Sequence, residues 1–86
     1  MNELEKIYKA LANRRRLTII KFLKYKKEAS VSEIASNLRL SFRSTSRHLA
    51  ILRGSDILDK EQKGALAFYS LNQKAHSAIR HLLTLV

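Results

Sequence analysis

Ser30 and Glu33 stand three residues apart at the head of a run in which Val31, Ile34, Ala35 and Leu38 fall at i, i+3, i+4 and i+7. A serine hydroxyl there accepts from the backbone N–H three residues on while the glutamate reaches back to the serine N–H, so the pattern starts a short helix and fixes its first turn. Leu40 then sits in a tight turn, and Ser41 is placed to cap another helix that runs to Arg53 and stops at Gly54, where a left-handed residue is little strained. Two short helices joined by three or four residues have few ways to pack, and the second must lean its apolar side on the first. Within 41–53, Thr45, His48, Leu49 and Leu52 fall on one side and Arg43, Ser46, Arg47 and Ala50 on the other. The pattern is that of a helix-turn-helix with a basic outer face.

The rest of the chain supplies the scaffold. Leu4, Ile7, Tyr8 and Leu11 share one face of a first helix, with Glu5 and Lys9 as an i,i+4 pair opposite. Asn13 is placed to cap a second helix through about Tyr25, in which Leu17, Ile19, Ile20, Phe22 and Leu23 occupy most of the circumference. This is the expected central helix, with Thr18, Lys21 and Lys24 on its wet stripe. Ile57 to Gln62 and Leu66 to Leu71, around Lys63-Gly64-Ala65, read as a β-hairpin, the second segment carrying Phe68 and Tyr69. Asn72 is placed to cap a last helix, 72–86, on which Ala75, Ala78, Ile79, Leu82, Leu83, Leu85 and Val86 form a broad apolar face. The expected fold class is mainly α with a small β-hairpin, a winged helix-turn-helix in the order α-α-α-α-β-β-α, filling 1–86 as one domain.

Composition narrows the possibilities. With no Cys, the 86 residues have neither disulfides nor thiolate metal ligands to staple the fold, so stability must come from packed apolar surface, including that of a second copy. The wide stripe of the last helix and the stripe of the first predict a homodimer, with Leu4, Ile7, Tyr8, Leu11, Ala75, Ile79, Leu82, Leu83 and Val86 at its interface. Seventeen Lys and Arg against seven Asp and Glu leave +10, so a polyanion is the expected partner. The excess is uneven: +6 over 1–28, +3 over 29–54, −1 over 55–71 and +2 over 72–86. No apolar run approaches the roughly 18 to 20 residues that span a bilayer, and the N-terminus has no signal-peptide core, so a soluble, cytoplasmic and nucleoid-associated protein with no membrane partner is expected.

The outer face of 41–53 carries the chemistry. Arg reads guanine N7 and O6 bidentately, and Arg43 and Arg47 lie one helical turn apart with Ser46 between them and Ala50 permitting close approach. The helix N-terminus with Ser41 and Ser44 suits a phosphate, Phe42 is a further expected contact, His48 lies beside the core side, and Lys60 and Lys63 are the wing's cations. Ser41, Phe42, Arg43, Ser44, Ser46, Arg47, His48, Lys60 and Lys63 form the expected contact surface for double-stranded DNA. No catalytic set is visible: there is no thiol, no Gly-rich phosphate loop and no cluster of His or carboxylates, and no cofactor is expected. His76 and His81, five apart, lie about 140° apart around a helix and cannot serve one metal from a single chain. Arg16 faces the apolar arc and is expected to reach a carboxylate or a backbone oxygen.

The stretch Ala10-Leu11-Ala12-Asn13-Arg14-Arg15-Arg16-Leu17-Thr18-Ile19-Ile20 resembles the opening of the ArsR-type winged-helix repressors, whose pattern is ALADPTRLRIL. Leu40-Ser41-Phe42-Arg43-Ser44-Thr45-Ser46-Arg47-His48-Leu49-Ala50-Ile51-Leu52-Arg53 is similar to their recognition segment LSQSTVSRHLKVLR, and Phe68-Tyr69-Ser70-Leu71 is similar to their wing strand YYRL. The resemblance covers nearly the whole chain and implies a homodimeric transcriptional repressor on an inverted-repeat operator, joined through its first and last helices. Metal-sensing members carry Cys-Val-Cys-Glu-Leu where this chain has Ser30-Val31-Ser32-Glu33-Ile34, so the resemblance implies a member without that metal site. Phe42 and Arg43 replace the family's Gln-Ser, and the family's Gly after the recognition helix falls at Asp56. The competing function is a winged helix used as a protein- or RNA-interaction module or as a non-specific nucleoid coat. Direct base readout needs the outward Arg43, Ser46 and Arg47; generic phosphate binding does not.

Overall fold

The computed structural model describes residues 2–86 and contains five helices and one three-stranded sheet. The elements run α1 (Glu3–Leu11), α2 (Arg14–Lys26), β1 (Glu28–Ser30), α3 (Val31–Leu38), α4 (Phe42–Gly54), β2 (Leu58–Lys63), β3 (Leu66–Leu71) and α5 (Ser77–Leu83). Caps account for the helix starts: Asn2, Asn13, Ser30 and Ser41 each accept a backbone N–H with the side-chain oxygen. The capping box is complete, with Ser30 Oγ accepting from Glu33 N at 3.2 Å and Glu33 Oε1 accepting from Ser30 N at 3.0 Å. The Ser30 N–H donated to its carboxylate, with the nearby Lys26 charge, holds the Glu33 pKa below its ordinary value. Ser30→Ala is expected to cost about 1 kcal/mol of stability, read as a shift in the urea midpoint at constant m.

The winged helix-turn-helix expectation holds, with changes in the sheet, the hairpin and the last helix. First, a strand stands between α2 and α3: β1 pairs antiparallel with β3 (Glu28↔Ser70, Ala29↔Tyr69, Ser30↔Phe68), giving a sheet in the order β1-β3-β2 rather than a bare hairpin. Three residues are too few to show a period, and their strand character comes from the free edge of β3. Second, β2 begins at Leu58 and a two-residue turn, Gly64-Ala65, joins it to β3 with Lys63 opposite Leu66. Gly64 takes φ +63, a left-handed conformation suited to glycine. Third, the last helix is Ser77–Leu83, capped by His76 rather than Asn72. Asn72 instead closes a tight turn, its Oδ1 accepting from Lys74 N at 2.9 Å and its Nδ2 donating to Asp56 O at 3.0 Å.

The end of α4 also differs from expectation. Gly54 is its last helical residue, and the left-handed residue is Asp56, φ 57, with Asp56 N donating to Arg53 O and Ile57 N to Leu52 O, both at 3.0 Å. Asp tolerates this region better than most residues. The core gathers one face from every helix: Ile7 and Ala10 of α1, Ile19, Ile20 and Leu23 of α2, Ile34 of α3, Leu49 and Leu52 of α4, and Ile79 of α5, closed by Ala29, Ile57, Leu58 and Tyr69. Lys24 of α2, expected on the wet stripe, is half-buried and donates to Leu83 O at 2.6 Å and Val86 O at 2.7 Å, holding the end of α5 against α2. Lysine suits that position because the carbonyls past a helix C-terminus have no intrahelical donors.

Candidate nucleic-acid interface

Thr45, Leu49 and Leu52 are buried and fix the rotation of α4, which leaves Arg43, Arg47 and Ala50 exposed and Ser46 half-buried. Thr45 is fully buried without an unmet group, its Oγ1 donating to Ser41 O at 2.9 Å. Ser41 Oγ accepts from Ser44 N at 3.0 Å, so one of the two serine hydroxyls at the helix N-terminus is engaged in the cap. Phe42, the first helical residue, is 61% exposed.

His48 is tied to the opening of α2. Arg16 donates from Nε to Ala10 O at 2.6 Å and from Nη2 to Lys9 O at 3.3 Å, meeting the backbone-oxygen expectation, and its Nη1 lies 3.3 Å from His48 Nδ1. A guanidinium can only donate, so Nδ1 accepts and the imidazole carries its proton on Nε2. Burial, then the Arg16, Arg15 and Arg47 charges, hold the His48 pKa below its ordinary value. The unfolded chain therefore takes up a proton near pH 6.5 that the folded chain resists. Stability from this site is present above that pH and is lost as the pH falls through the lower folded value. His48→Gln should remove that part of the pH dependence, which urea titrations at pH 7.5 and 5.5 measure as a smaller drop in midpoint than the parent shows.

The two wing lysines part company. Directly paired residues share a face of a sheet, so Lys60, opposite buried Tyr69, lies on the side packed toward α4, where Ala50, Arg53, Asp59 and Lys60 line one hollow. Lys63 stands one pleat out of phase, bonded to Glu28 Oε1 at 2.8 Å, 3.7 Å from Glu61 and 5.1 Å from the Phe68 ring centroid. The bond to the Glu28 carboxylate raises its pKa. Lys63 is thus engaged by its own protomer and turned from the α4 side, contrary to the equal role expected of the two lysines. Glu28 was missed because it lies 35 residues away and only the unforeseen β1 brings it across β3.

The expected dimer residues also divide. Ile7, Ala75 and Ile79 are 2%, 6% and 1% exposed within one chain, so they have no surface to offer a second copy. Leu11, Leu82 and Leu83 pack partly against the same core, and Val86 is half-buried. Leu4 and Tyr8 of α1 remain exposed, as does Leu85 beyond α5. His76 closes the N-terminus of α5, its Nδ1 accepting from Ala78 N at 3.0 Å, and its Nε2 lies 3.8 Å from Glu3 of α1. No helix among the described residues is long and apolar enough to cross a membrane.

A capped helix-turn-helix with a basic outer face, backed by a hairpin wing, defines the winged helix-turn-helix class of transcriptional regulator. The model of the arsR family of bacterial regulatory proteins matches residues 13–60, from the cap of α2 through the first part of the wing, and the chain belongs to that family. It is 38% identical over 77 residues to the transcriptional activator HlyU of Vibrio cholerae, covering 90% of this chain and 70% of that protein. The structure of reduced HlyU superposes with a TM-score of 0.82 at 32% identity, over 96% of this chain and 83% of HlyU. The arsenical resistance operon repressor of Bacillus subtilis is 30% identical over 74 residues, 86% of this chain and 70% of the repressor. A homodimeric winged helix-turn-helix DNA-binding domain from Mycobacterium bovis matches with a TM-score of 0.82 at 26% identity, over 96% of this chain and 73% of that one.

Proposed function

We propose that the chain is a homodimeric, sequence-specific double-stranded DNA-binding transcriptional repressor that works in the cytoplasm and performs no catalysis. The observation that carries this reading is the outward face of α4, where Arg43 and Arg47 are exposed and, among the described residues, form no ion pair, while the buried side of the same helix fixes their direction. Exposed guanidiniums one turn apart on a helix of this placement match the geometry in which a recognition helix reads base edges in the major groove. Ser46 and Ala50 complete that face, and Ser41, Ser44, His48 and Lys60 flank it as contacts to the phosphate backbone. The exposed Leu4, Tyr8 and Leu85 form the apolar surface that a second copy covers, and the homodimeric M. bovis domain supports that assembly. The identity to the B. subtilis repressor supports repression, while HlyU shows that the same scaffold serves activation.

Selection of bound sequences from a random duplex library tests this. The expected product is an inverted repeat whose half-site centres lie about 34 Å apart. Recovery of random sequence would favour a coating or interaction module instead.

A further inference from the structure

Phe42 is the one large apolar side chain in the first turn of the recognition helix, on the flank that faces the start of α3 and the wing. It directly follows the Ser41 cap, is 61% exposed, and precedes Arg43. It belongs to neither the core nor the layer packed against it. Its ring lines a groove of about 270 Å³ between the start of α3 and the wing, whose other apolar walls are Val31, Ala65, Leu66 and Ala67. Leu66, at the wing tip, is likewise more than half exposed, at 53%. Phe42 and Leu66 together leave apolar surface in water along this groove, the kind of surface that a binding partner covers. The partner's charge is set by Arg43, the next residue, which is exposed and calls for an anion.

A duplex major groove offers one apolar group at its base edges, the thymine C5-methyl, and the N-terminal residues of a recognition helix are those that reach the edges. We infer that Phe42 is a specificity-determining residue that covers a thymine methyl beside the base read by Arg43. The inference rests on the DNA-reading function above and adds to it a defined chemical preference at one position of each half-site. Insertion of the ring between base pairs is disfavoured by its place on the major-groove helix, since wedging side chains enter from the minor groove.

The test compares the parent and Phe42→Ala in the same library selection, then replaces each selected thymine by deoxyuridine, which removes only the methyl. The parent is expected to require thymine at one position per half-site and to bind about fourfold more weakly when that base is uracil, the loss expected for one buried methyl group. Phe42→Ala should accept any base there and show no uracil effect, while keeping its preference at the Arg47 position. Because Phe42 is exposed, the variant keeps the fold, which circular dichroism checks. A half-site without thymine, or equal uracil sensitivity in both proteins, overturns the role of Phe42 and leaves the DNA-reading function standing. A parent that selects no sequence overturns both.

Discussion

Arg47→Ala should weaken binding to the selected operator by about 5- to 150-fold per half-site, and binding to random duplex far less. A bidentate Arg–guanine pair discriminates by about 1 to 3 kcal/mol, and each 1.4 kcal/mol is tenfold in affinity. Arg47 is exposed and lies on the side of α4 away from buried Leu49 and Leu52, so its removal leaves the core untouched and the loss is one of contact alone. Lys60→Ala should behave differently, lowering specific and random binding together and reducing the salt slope by about 1. Lys63→Ala should change either affinity little, because the lysine is held by Glu28 on the other side of the sheet. Titration of fluorescent operator and random duplexes at two salt concentrations separates the three variants. Equal losses on both duplexes for Arg43→Ala and Arg47→Ala would make the pair a phosphate clamp and move the coating reading ahead.

Tyr8→Glu combined with Leu4→Glu should convert the dimer to a monomer and lower operator affinity by about a hundredfold or more. Two linked modules on two half-sites gain about 10² to 10⁴ over one through effective concentration, and a monomer forfeits that gain. Both side chains are exposed in the single chain, at 42% for Leu4 and 56% for Tyr8, so the carboxylates enter water in the monomer and are buried unpaired only in a dimer. Light scattering at tens of micromolar should give the dimer mass for the parent and the monomer mass for the variant, with unchanged helical circular dichroism. A monomeric parent would instead place the apolar stripe of α1 outside any self-association.

The helices were legible because their signals are local. Ser30 with Glu33, Asn13, and Ser41 each name a helix start by chemistry acting over three residues, and the buried arc of α4 follows from counting around a helix. Whatever depended on distant pairing was hidden. The strand 28–30 exists because β3 has an edge to fill, and the engagement of Lys63 follows from that strand. The apolar stripes of α1 and α5 predict burial, but a stripe does not say which surface buries it. Ile7, Ala75 and Ile79 proved to be covered by their own chain, whereas Leu4 and Tyr8 were left over. The start of α5 could not be read from the cap signal, because Asn72 closes a turn with Lys74 and Asp56 four residues before the actual cap, His76.

Ser30 belongs to two elements at once. It is the last residue of β1, in register with Phe68 of the wing, and also the cap whose hydroxyl and N–H close the first turn of α3. No loop separates sheet from helix at this point, so a tilt of the wing is transmitted to α3 as through a welded joint, and α3 in turn packs on α4. The wing and the reading helix therefore form a gauge of set span. A duplex seated across both must adapt its groove width to the protein, and base pairs touched by neither element acquire influence through the ease with which they deform.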